Sequence, residues 1–403
     1  MVDERRSPAK TTLGSGQAVL REVLLTGPVT RTEVAPRLGM NPASVSRIVR
    51  PLIDAGLVQE RLEERGERPV IRPGRRFQRM TIDPRGGQVL GIAITPVIQT
   101  VALADIGRNI IAGTDFACEP IGDADGVIRR VAQESRRLIG AHLADRSRLL
   151  GGLLMVTAMV DAARGSTMQS PYLGWGSVPI RAQLAGLLNV PMQVRMLMST
   201  VTQAEMFFGA ARGRRNVLGL LCDLAIGAAV LVDGRAVGDS SFPTVGIGMM
   251  NVTGEDGTRG TLDDHASGLG ILRRLHGGGR PEQAPLSAMA GALNDAIERD
   301  RAGDPRAAAQ MARAGRELGR LVVQHGHFVR PEIVLLVGSL ATAPSYIAGL
   351  LEIVEEGFDP PVEVAAGRTT DAAGGRWSSC AMAVYEYLVE QPIDLSKLHP
   401  PAH

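Results

Sequence analysis

The sequence has only three cysteines, Cys118, Cys222 and Cys380, and they lie far apart along the chain. This spacing forms neither a disulfide framework nor a cysteine-based metal motif, and it is typical of a reduced cytoplasm. No apolar run is long enough to span a bilayer, and no secretory signal opens the chain. Lysine occurs only at positions 10 and 397, which we attribute to genomic composition. We therefore expect a cytoplasmic protein without a membrane partner.

Residues 30–58 have the pattern of a helix-turn-helix. Thr30 or Thr32 can cap a first helix, and Gly39 follows its last turn. Asn41 and Pro42 are suited to the start of a second helix. That second helix has one apolar stripe at helical spacing, formed by Val45, Ile48, Val49, Leu52 and Ile53. A helix held in this way can place its polar side chains in the major groove of DNA.

The polar residues of the second helix are the first candidates for DNA contact: Ser44, Ser46, Arg47 and Arg50. Serine can bond base edges or phosphate, and arginine can bond guanine through two N–H groups. A preceding helix is expected at residues 18–26, and residues 57–82 alternate short extended runs with arginine. That alternation predicts a β-hairpin wing along the DNA backbone or in the minor groove. The wing residues that we assign to DNA are Arg65, Arg68, Arg72, Arg75 and Arg76.

The charge distribution agrees with a local nucleic-acid site. Residues 1–80 contain 15 Lys and Arg against 9 Asp and Glu, whereas the whole chain contains 44 against 42. A basic head on a mildly acidic body is the usual signature of such a site. The alternative is an ordinary helical hairpin whose polar face is solvated. We expect a flexible leader at residues 1–16 and a winged helix-turn-helix domain at residues 17–84.

From residue 88 the pattern becomes α/β. Residues 88–113 read as two strands joined by a turn at Gly107, and residues 126–145 read as an amphipathic helix. A chain of 403 residues is long enough for two or three domains. The alternation of strands and helices in two halves predicts a bilobal α/β body with a cleft between the lobes.

Several motifs, in order along the chain, resemble the ROK family of repressors, open reading frames of unknown role and sugar kinases. They are GLV at 56–58, SPYLGWGSVPIRAQL at 170–184, GAARG at 209–213, VDGR at 232–235 and a glycine turn at 338. The resemblance covers about residues 17–390. It implies a winged helix-turn-helix followed by a two-lobed, actin-like or hexokinase-like sugar-kinase fold. We place the first lobe at 85–198, with a C-terminal helix at about 378–390, and the second lobe at 199–377.

The residues that carry phosphoryl transfer in the family are missing at the matching positions. Its first phosphate loop reads like DIGGT, whereas residues 93–97 read AITPV. Without paired glycines the backbone cannot approach a phosphate closely. The family's general base is an aspartate in a segment like END, and the matching residues are Met196, Leu197 and Met198. Because methionine cannot accept a proton, we expect no catalytic residue and no bound ATP.

The sugar and zinc sites that the resemblance implies are also altered. The asparagine of a PNLGW motif matches Tyr172, and the glutamate and histidine of a GEIGH-like motif match Gly246 and Met249. The glutamate of a CLE-like motif matches Asp263. We expect a less polar effector site with the candidates Tyr172, Trp175, Met198, Gly246, Met249 and Asp263. The zinc-binding histidine and three cysteines match Met249, Gly254, Asp256 and Thr261, so we predict no metal site.

These observations predict a sequence-specific DNA-binding transcriptional regulator, a repressor, under the control of a small-molecule effector. The resemblance implies a homodimer or homotetramer, which would bind an inverted-repeat operator in double-stranded DNA. Two alternatives stay open. In one, the body binds no effector and is only an oligomerisation scaffold, with methionines filling a vacated pocket. In the other, the chain is a sugar kinase, which the missing base and phosphate glycines oppose.

Overall fold

The computed structural model describes residues 14–62, 78–143, 145–237, 246–277 and 285–395. The chain begins with a small head of three helices and a two-stranded antiparallel sheet. Its elements are α1 (Ser15–Thr26), α2 (Arg31–Arg37), α3 (Pro42–Asp54), β1 (Val58–Leu62) and β2 (Gln78–Ile82). Val58 pairs with Ile82 and Leu62 with Gln78, so β1 and β2 form the stem of a wing.

Hydrogen bonds at the helix ends explain the boundaries of the head. The Thr30 hydroxyl accepts a bond from the Glu33 amide at 3.2 Å, and the Glu33 carboxylate accepts one from the Thr30 amide at 2.7 Å. Gly39, in the turn, has a left-handed φ of 63°. The Asn41 side chain accepts a bond from the Ser44 amide at 2.8 Å, and Pro42 is the first residue of α3. The predicted turn and caps are confirmed, with Thr30 as the cap of α2.

The first lobe is built on a five-stranded mixed sheet with the order β5-β4-β3-β6-β9. Strands β3, β4 and β5 are antiparallel, whereas β3, β6 and β9 are parallel. The elements are β3 (Gln88–Ile94), β4 (Gln99–Asp105), β5 (Ile110–Phe116), α4 (Ala124–His142), β6 (Leu149–Val156), β7 (Val160–Asp161), β8 (Ser166–Thr167), α5 (Ile180–Leu188) and β9 (Met192–Met196).

The prediction of two strands in residues 88–113 is wrong, because the segment begins three. A second tight turn lies at residues 95–98, where the Thr95 hydroxyl donates to the Ile98 carbonyl at 2.8 Å and accepts from the Ile98 amide at 3.0 Å. The Thr95 side chain therefore closes a turn that contains no glycine. The apolar run through residues 88–104 hides this turn from a reading based on periodicity.

The second lobe repeats the sheet topology of the first. Its strand order is β12-β11-β10-β15-β16, again with two antiparallel pairings followed by two parallel ones. The remaining elements are α6 (Leu197–Phe208), β10 (Val217–Cys222), β11 (Ile226–Val232), β12 (Arg235–Ala236), β13 (Asn251–Thr253), β14 (Arg259–Thr261), α7 (Leu262–Ala266), α8 (Gly268–Leu275), α9 (Leu286–Arg301), α10 (Pro305–Val329), β15 (Ile333–Val337), α11 (Pro344–Gly357), β16 (Glu363–Ala366) and α12 (Ala372–Tyr385). Among the described helices, none has the length and apolar character needed to cross a bilayer.

Two helices join the lobes. The α6 helix begins at Leu197 and runs across the 198/199 boundary that separates the lobes in the sequence analysis. The α12 helix returns from the second lobe to the first-lobe sheet and continues into a π-helical turn, Glu386–Glu390. A Cβ on Gly91 of β3 would lie 2.7 Å from the Cys380 amide nitrogen, so glycine allows α12 to lie directly on this strand.

The head packs on this C-terminal segment through one continuous apolar core. Val19 and Leu20 of α1 belong to the same buried cluster as Leu388 and Val389. At the edges of this joint, the Gln17 side chain donates to the Gln391 carbonyl at 2.9 Å. Apolar burial of this kind fixes the orientation of the head on the body.

We predict that Leu388→Ala lowers the free energy of unfolding by about 2–5 kcal/mol, the usual cost of a cavity at a fully buried leucine. Leu388 is 0% exposed and lies in the core that the head and the body share. Urea denaturation followed by circular dichroism measures the loss. Leu187→Ala on α5 is the matched control, because this leucine is 36% exposed. Equal losses in the two variants would contradict the packing of the head on the body.

Candidate nucleic-acid interface and interlobe cleft

The exposed face of α3 presents the candidate DNA-binding residues. Val45, Val49 and Leu52 are buried on its opposite face. Arg47 is exposed, and it makes no hydrogen bond or ion pair with any residue that the structure describes. Its guanidinium is therefore available to an external acceptor.

The other α3 candidates have local partners. The Ser46 hydroxyl donates to the Pro42 carbonyl at 2.9 Å, within the helix. Arg50 pairs with Asp54 one turn later at 3.1 Å, with both side chains exposed. Exposed pairs of this type are weak, so Arg50 can exchange Asp54 for a phosphate at little cost. Ser44 is half-buried, and its backbone amide is used by the Asn41 cap.

The stem of the wing continues the basic face. Arg61 and Arg79 lie opposite each other in the β1–β2 register. Arg79 donates to the Pro28 carbonyl at 3.1 Å and lies 3.7 Å from the Glu33 carboxylate. The five predicted wing residues, Arg65, Arg68, Arg72, Arg75 and Arg76, fall outside the described residues. Their assignment stays a prediction.

In the cleft, two of the six effector candidates bond to each other across the lobes. The Tyr172 hydroxyl, on the first lobe, donates to Asp263 Oδ2 at 3.2 Å. Asp263 lies on α7 of the second lobe, and its Oδ1 accepts a bond from the Ile226 amide at 2.7 Å. The Asp263 carboxylate therefore links Ile226, the first residue of β11, to the first-lobe loop that carries Tyr172. In this arrangement both of its oxygens are in use.

Burial perturbs both members of this pair. Desolvation raises the pKa of Asp263 to about 6, against the opposing bonds from Ile226 and Tyr172, and the nearby Asp264 charge adds to the rise. Burial, followed by the Asp263 charge, also raises the pKa of Tyr172, so the phenol stays protonated and remains a donor.

The other four candidates differ in exposure, and the turn that carries Gly246 and Met249 lies beside Asp263, because a Cβ on Gly248 would be 2.4 Å from Asp263 Oδ1. Trp175 is only 3% exposed, and its indole nitrogen donates to the Ile121 carbonyl at 2.8 Å. Met198, 7% exposed, packs in the core around α6, whereas Met249 is 60% exposed. Gly246 has a φ of 123°, a conformation that suits glycine. The grouping of the six candidates into one effector site stays a prediction.

A cavity of about 560 Å³ lies between the lobes and was not found by sequence reasoning. The Ser287 hydroxyl donates to the Glu119 carboxylate at 3.0 Å and so links the two lobes at this cavity. Its lining is mostly apolar and comes from three segments: Pro96–Val97, Cys118–Gly122 and Pro285–Ser287. These segments are far apart in sequence and share no motif, so no local signal could have brought them together. The volume suits a small molecule.

The β13–β14 loop, which matches the zinc-binding segment of the family, is held by hydrogen bonds and ion pairs. Thr261 caps α7 by accepting from the Asp264 amide at 3.2 Å, and Asp256 pairs with Arg313 at 2.5 Å. Glu255 accepts two bonds from Arg316, at 3.0 and 3.1 Å. Ion pairs to α10 therefore hold the β13–β14 loop, and the donor set of a zinc site does not fit. No group of three or more metal-ligating side chains occurs in the described part of the chain.

The arrangement at the expected nucleotide site also disfavours phosphate. Pro96 and Val97 occupy the first turn, without the backbone freedom of paired glycines. At the Gly338 turn, the Asp223 carboxylate accepts a bond from the Ser339 amide at 3.2 Å. A fixed negative charge at this amide repels a phosphate group. The residues therefore do not fit ATP.

Comparison with known proteins identifies the family of this chain. The ROK family profile matches residues 139–375, more than half of the sequence. The chain belongs to the ROK family. Its sequence is 27% identical over 262 residues to the DNA-binding transcriptional repressor Mlc of Escherichia coli K12, and the match covers 63% of this chain and 63% of the repressor. The matched region thus spans less than two thirds of that relative.

Two solved structures support the fold. A ROK family transcriptional regulator homologous to the E. coli Mlc protein superimposes with a TM-score of 0.71 and 20% identity, over 95% of this chain and 98% of that one. A ROK family glucokinase from Streptomyces griseus gives a TM-score of 0.62 and 17% identity, over 74% of this chain and 99% of the glucokinase. The predicted fold, a winged helix-turn-helix followed by a two-lobed actin-like body, is confirmed.

We predict that Asp263→Asn changes the pH dependence of stability. The folded protein holds the Asp263 proton more tightly than the unfolded chain does, because the pKa rises from 3.8 to about 6. Wild-type stability therefore falls as pH rises through this window, and the variant lacks that fall. In thermal melts between pH 4 and 7.5, the melting temperature of the variant should rise relative to that of the wild type as pH increases.

Asp264→Asn is a control of opposite sign. Although burial opposes the change, bonds from Thr261 and Arg273 hold the pKa of Asp264 below 3.8. Melts of this pair of proteins extend down to about pH 2, where the neutral variant should lose stability relative to the wild type as pH rises towards 3.8. Parallel curves for wild type and Asp263→Asn would contradict the raised pKa of Asp263.

Proposed function

We propose that the chain is a sequence-specific DNA-binding transcriptional regulator that acts as a repressor. The observation that carries the proposal is Arg47 on α3, which is exposed and has no partner among the described residues, on a helix capped at one end and anchored by a buried stripe. Such a helix can present a guanidinium to guanine in the major groove. The match to a relative named as a transcriptional repressor supports the same function.

The DNA partner that we propose is an inverted-repeat operator, bound by a homodimer or homotetramer in the cytoplasm. Two heads related by a twofold axis would meet two half-sites related in the same way. Arg50, Arg61 and the wing arginines would supply backbone contacts. Because these contacts release counterions, affinity should fall steeply as salt rises.

We infer that the body is not an enzyme. The start of α6, where the family's base would lie, reads Met196–Met198, and its side chains offer no proton acceptor. The fixed Asp223 carboxylate opposes phosphate at the Gly338 turn. Similarity to a glucokinase at 17% identity extends to the fold alone.

We further propose that the cleft takes a small-molecule effector less polar than a simple sugar. Support comes from the apolar lining of the 560 Å³ cavity and from the engagement of Asp263 by Tyr172. An effector would change DNA affinity only by binding the open and closed lobes unequally. The alternative is a scaffold without a ligand, in which Tyr172–Asp263 and Glu119–Ser287 hold the lobes together.

Loss of the Arg47 side chain should weaken binding and relax sequence preference. The preferred DNA is first selected from random duplexes with the wild-type protein. We expect Arg47→Ala to bind this DNA roughly 10-fold or more weakly, as for one lost bidentate base contact. Arg129→Ala is the control, because Arg129 is an exposed residue of α4 without a bond to any described residue. Unchanged affinity and preference in Arg47→Ala would remove α3 as the reading helix.

Effector chemistry can be tested by thermal shift with four probes: glucose, N-acetylglucosamine, benzoate and indole. We expect benzoate or indole to raise the melting temperature and the two sugars to leave it unchanged. The reason is that the cavity is apolar and the Asp263 oxygens are already bonded. Val97→Asp, which places a charge in the lining, should abolish the shift. Stabilisation by a sugar would contradict the proposed chemistry, and no shift with any probe would favour the scaffold.

A further inference from the structure

Three arginines converge where the head meets the body. Arg108 lies in the β4–β5 turn of the first lobe, Arg212 follows α6, and Arg368 lies between β16 and α12. Arg212 reaches the head, where it donates to the Leu25 carbonyl at 2.5 Å. Arg108 lies against Phe208, next to the loop that carries Arg212, and the amides of Ala210 and Arg368 bond to the same Glu205 carboxylate. The three arginines come from three segments that are distant in sequence.

Aromatic rings, not carboxylates, support two of these arginines. The Arg108 guanidinium lies 4.5 Å from the centre of the Phe208 ring, and that of Arg368 lies 5.2 Å from Trp377. In the part of the chain that the structure describes, no carboxylate lies within ion-pair distance of any of the three. Asp105, the acid that acts on Arg108, is bonded to Asn109 at 2.9 and 3.0 Å.

Elsewhere this chain neutralises clustered arginines. On α10, Arg313, Arg316 and Arg320 share Glu255, at 3.7, 3.0 and 3.5 Å. Three further acids join that cluster, Asp256, Glu317 and Glu352. The cluster at the head–body junction lacks this compensation. Clustered like charges repel, and the partial burial of Arg108 increases the cost of its charge, whereas Arg212 and Arg368 are exposed.

The junction cluster is held in place by a buried carboxylate that does not neutralise it. Glu205 of α6 is 0% exposed, and it accepts bonds from the amides of Ala210, at 3.0 Å, and Arg368. One acid thereby fixes the loops that carry Arg212 and Arg368. Gly209 leaves no room for a Cβ beside this carboxylate, and Gly367 has only 2.8 Å. Both loops are therefore packed around Glu205.

Arg108 is the half-buried member of the cluster. Burial, followed by the charges of Arg212 and Arg368, lowers its pKa, against the opposing effect of Asp105. Its backbone is fixed in the turn at a φ of 73°. A guanidinium that is half-buried and unpaired gains stability from an anion more than an exposed one does.

We propose that Arg108, Arg212 and Arg368 form a binding site for a phosphate group at the junction of the head and the two lobes. Three guanidinium groups offer more N–H donors than one carboxylate can accept, and they match the several oxygens of a phosphate. The group could belong to a small phosphorylated metabolite or to a DNA phosphodiester. In either case its binding would tie the head to both lobes, because Arg212 also holds Leu25.

The first test measures melting temperature in sodium phosphate against sodium chloride at equal ionic strength. We expect about a 2 °C rise at tenfold the dissociation constant. Arg108→Gln and Arg368→Gln should lose this response, and Arg129→Gln, on an exposed face of α4, should keep it. In chloride alone, Arg108→Gln should melt no lower than the wild type, because it removes repulsion. If Arg108 had only a structural role, Arg108→Gln would melt at a lower temperature than the wild type in chloride.

The second test measures affinity for the selected DNA between 50 and 200 mM salt. If the site holds a DNA phosphodiester, Arg108→Gln should reduce the salt slope by about 1. If it holds a metabolite phosphate, the slope stays unchanged and the phosphate response of the free protein remains. Absence of both effects overturns the proposal. Arg47→Ala should keep the phosphate response, so failure of DNA recognition and failure of this site are distinguishable.

Discussion

The structure depends on the burial of one C-terminal segment between two partners. The α12 helix packs on the first-lobe sheet at Gly91, and the turn that follows it buries Leu388 against the head. The same apolar core therefore contains the inner face of α1 and the outer face of the lobe. Because apolar burial is lost when either partner moves away, the head cannot reorient freely. The head therefore takes its orientation from the body.

The head was largely predictable from sequence, because its determinants are local. Thr30, Gly39, Asn41 and Pro42 each act on a neighbouring turn, and each does so through the expected bond or backbone angle. The two-lobed body followed from the alternation of strands and helices, and motif order implied its sugar-kinase fold. Periodicity predicted two strands in residues 88–113. The Thr95 turn divides the run before Gly107 into β3 and β4, so the segment begins three strands. A threonine-closed turn inside an apolar run has no compositional signature.

The cleft was less predictable, because its geometry joins residues that are distant in the chain. The motif match identified Tyr172 and Asp263 separately, and only the fold shows that one donates to the other. It could not show that Trp175 is buried with its indole nitrogen bonded to the backbone. The cavity beside Glu119 and Ser287 has no motif at all. Local rules assign residues to elements, whereas a cleft is defined by how those elements pack.

The α6 helix is the physical route between the cleft and the head. Its first turn carries Met198, in the core shared by the lobes, and Phe207 at its other end stacks on Tyr385 with ring centres 4.4 Å apart. Twelve residues of helix span about 18 Å without a flexible link. Between these ends lies Glu205, which fixes the loops of the arginine cluster. The α6 helix therefore contacts the core shared by the lobes at its first turn and the core shared with the head at its last.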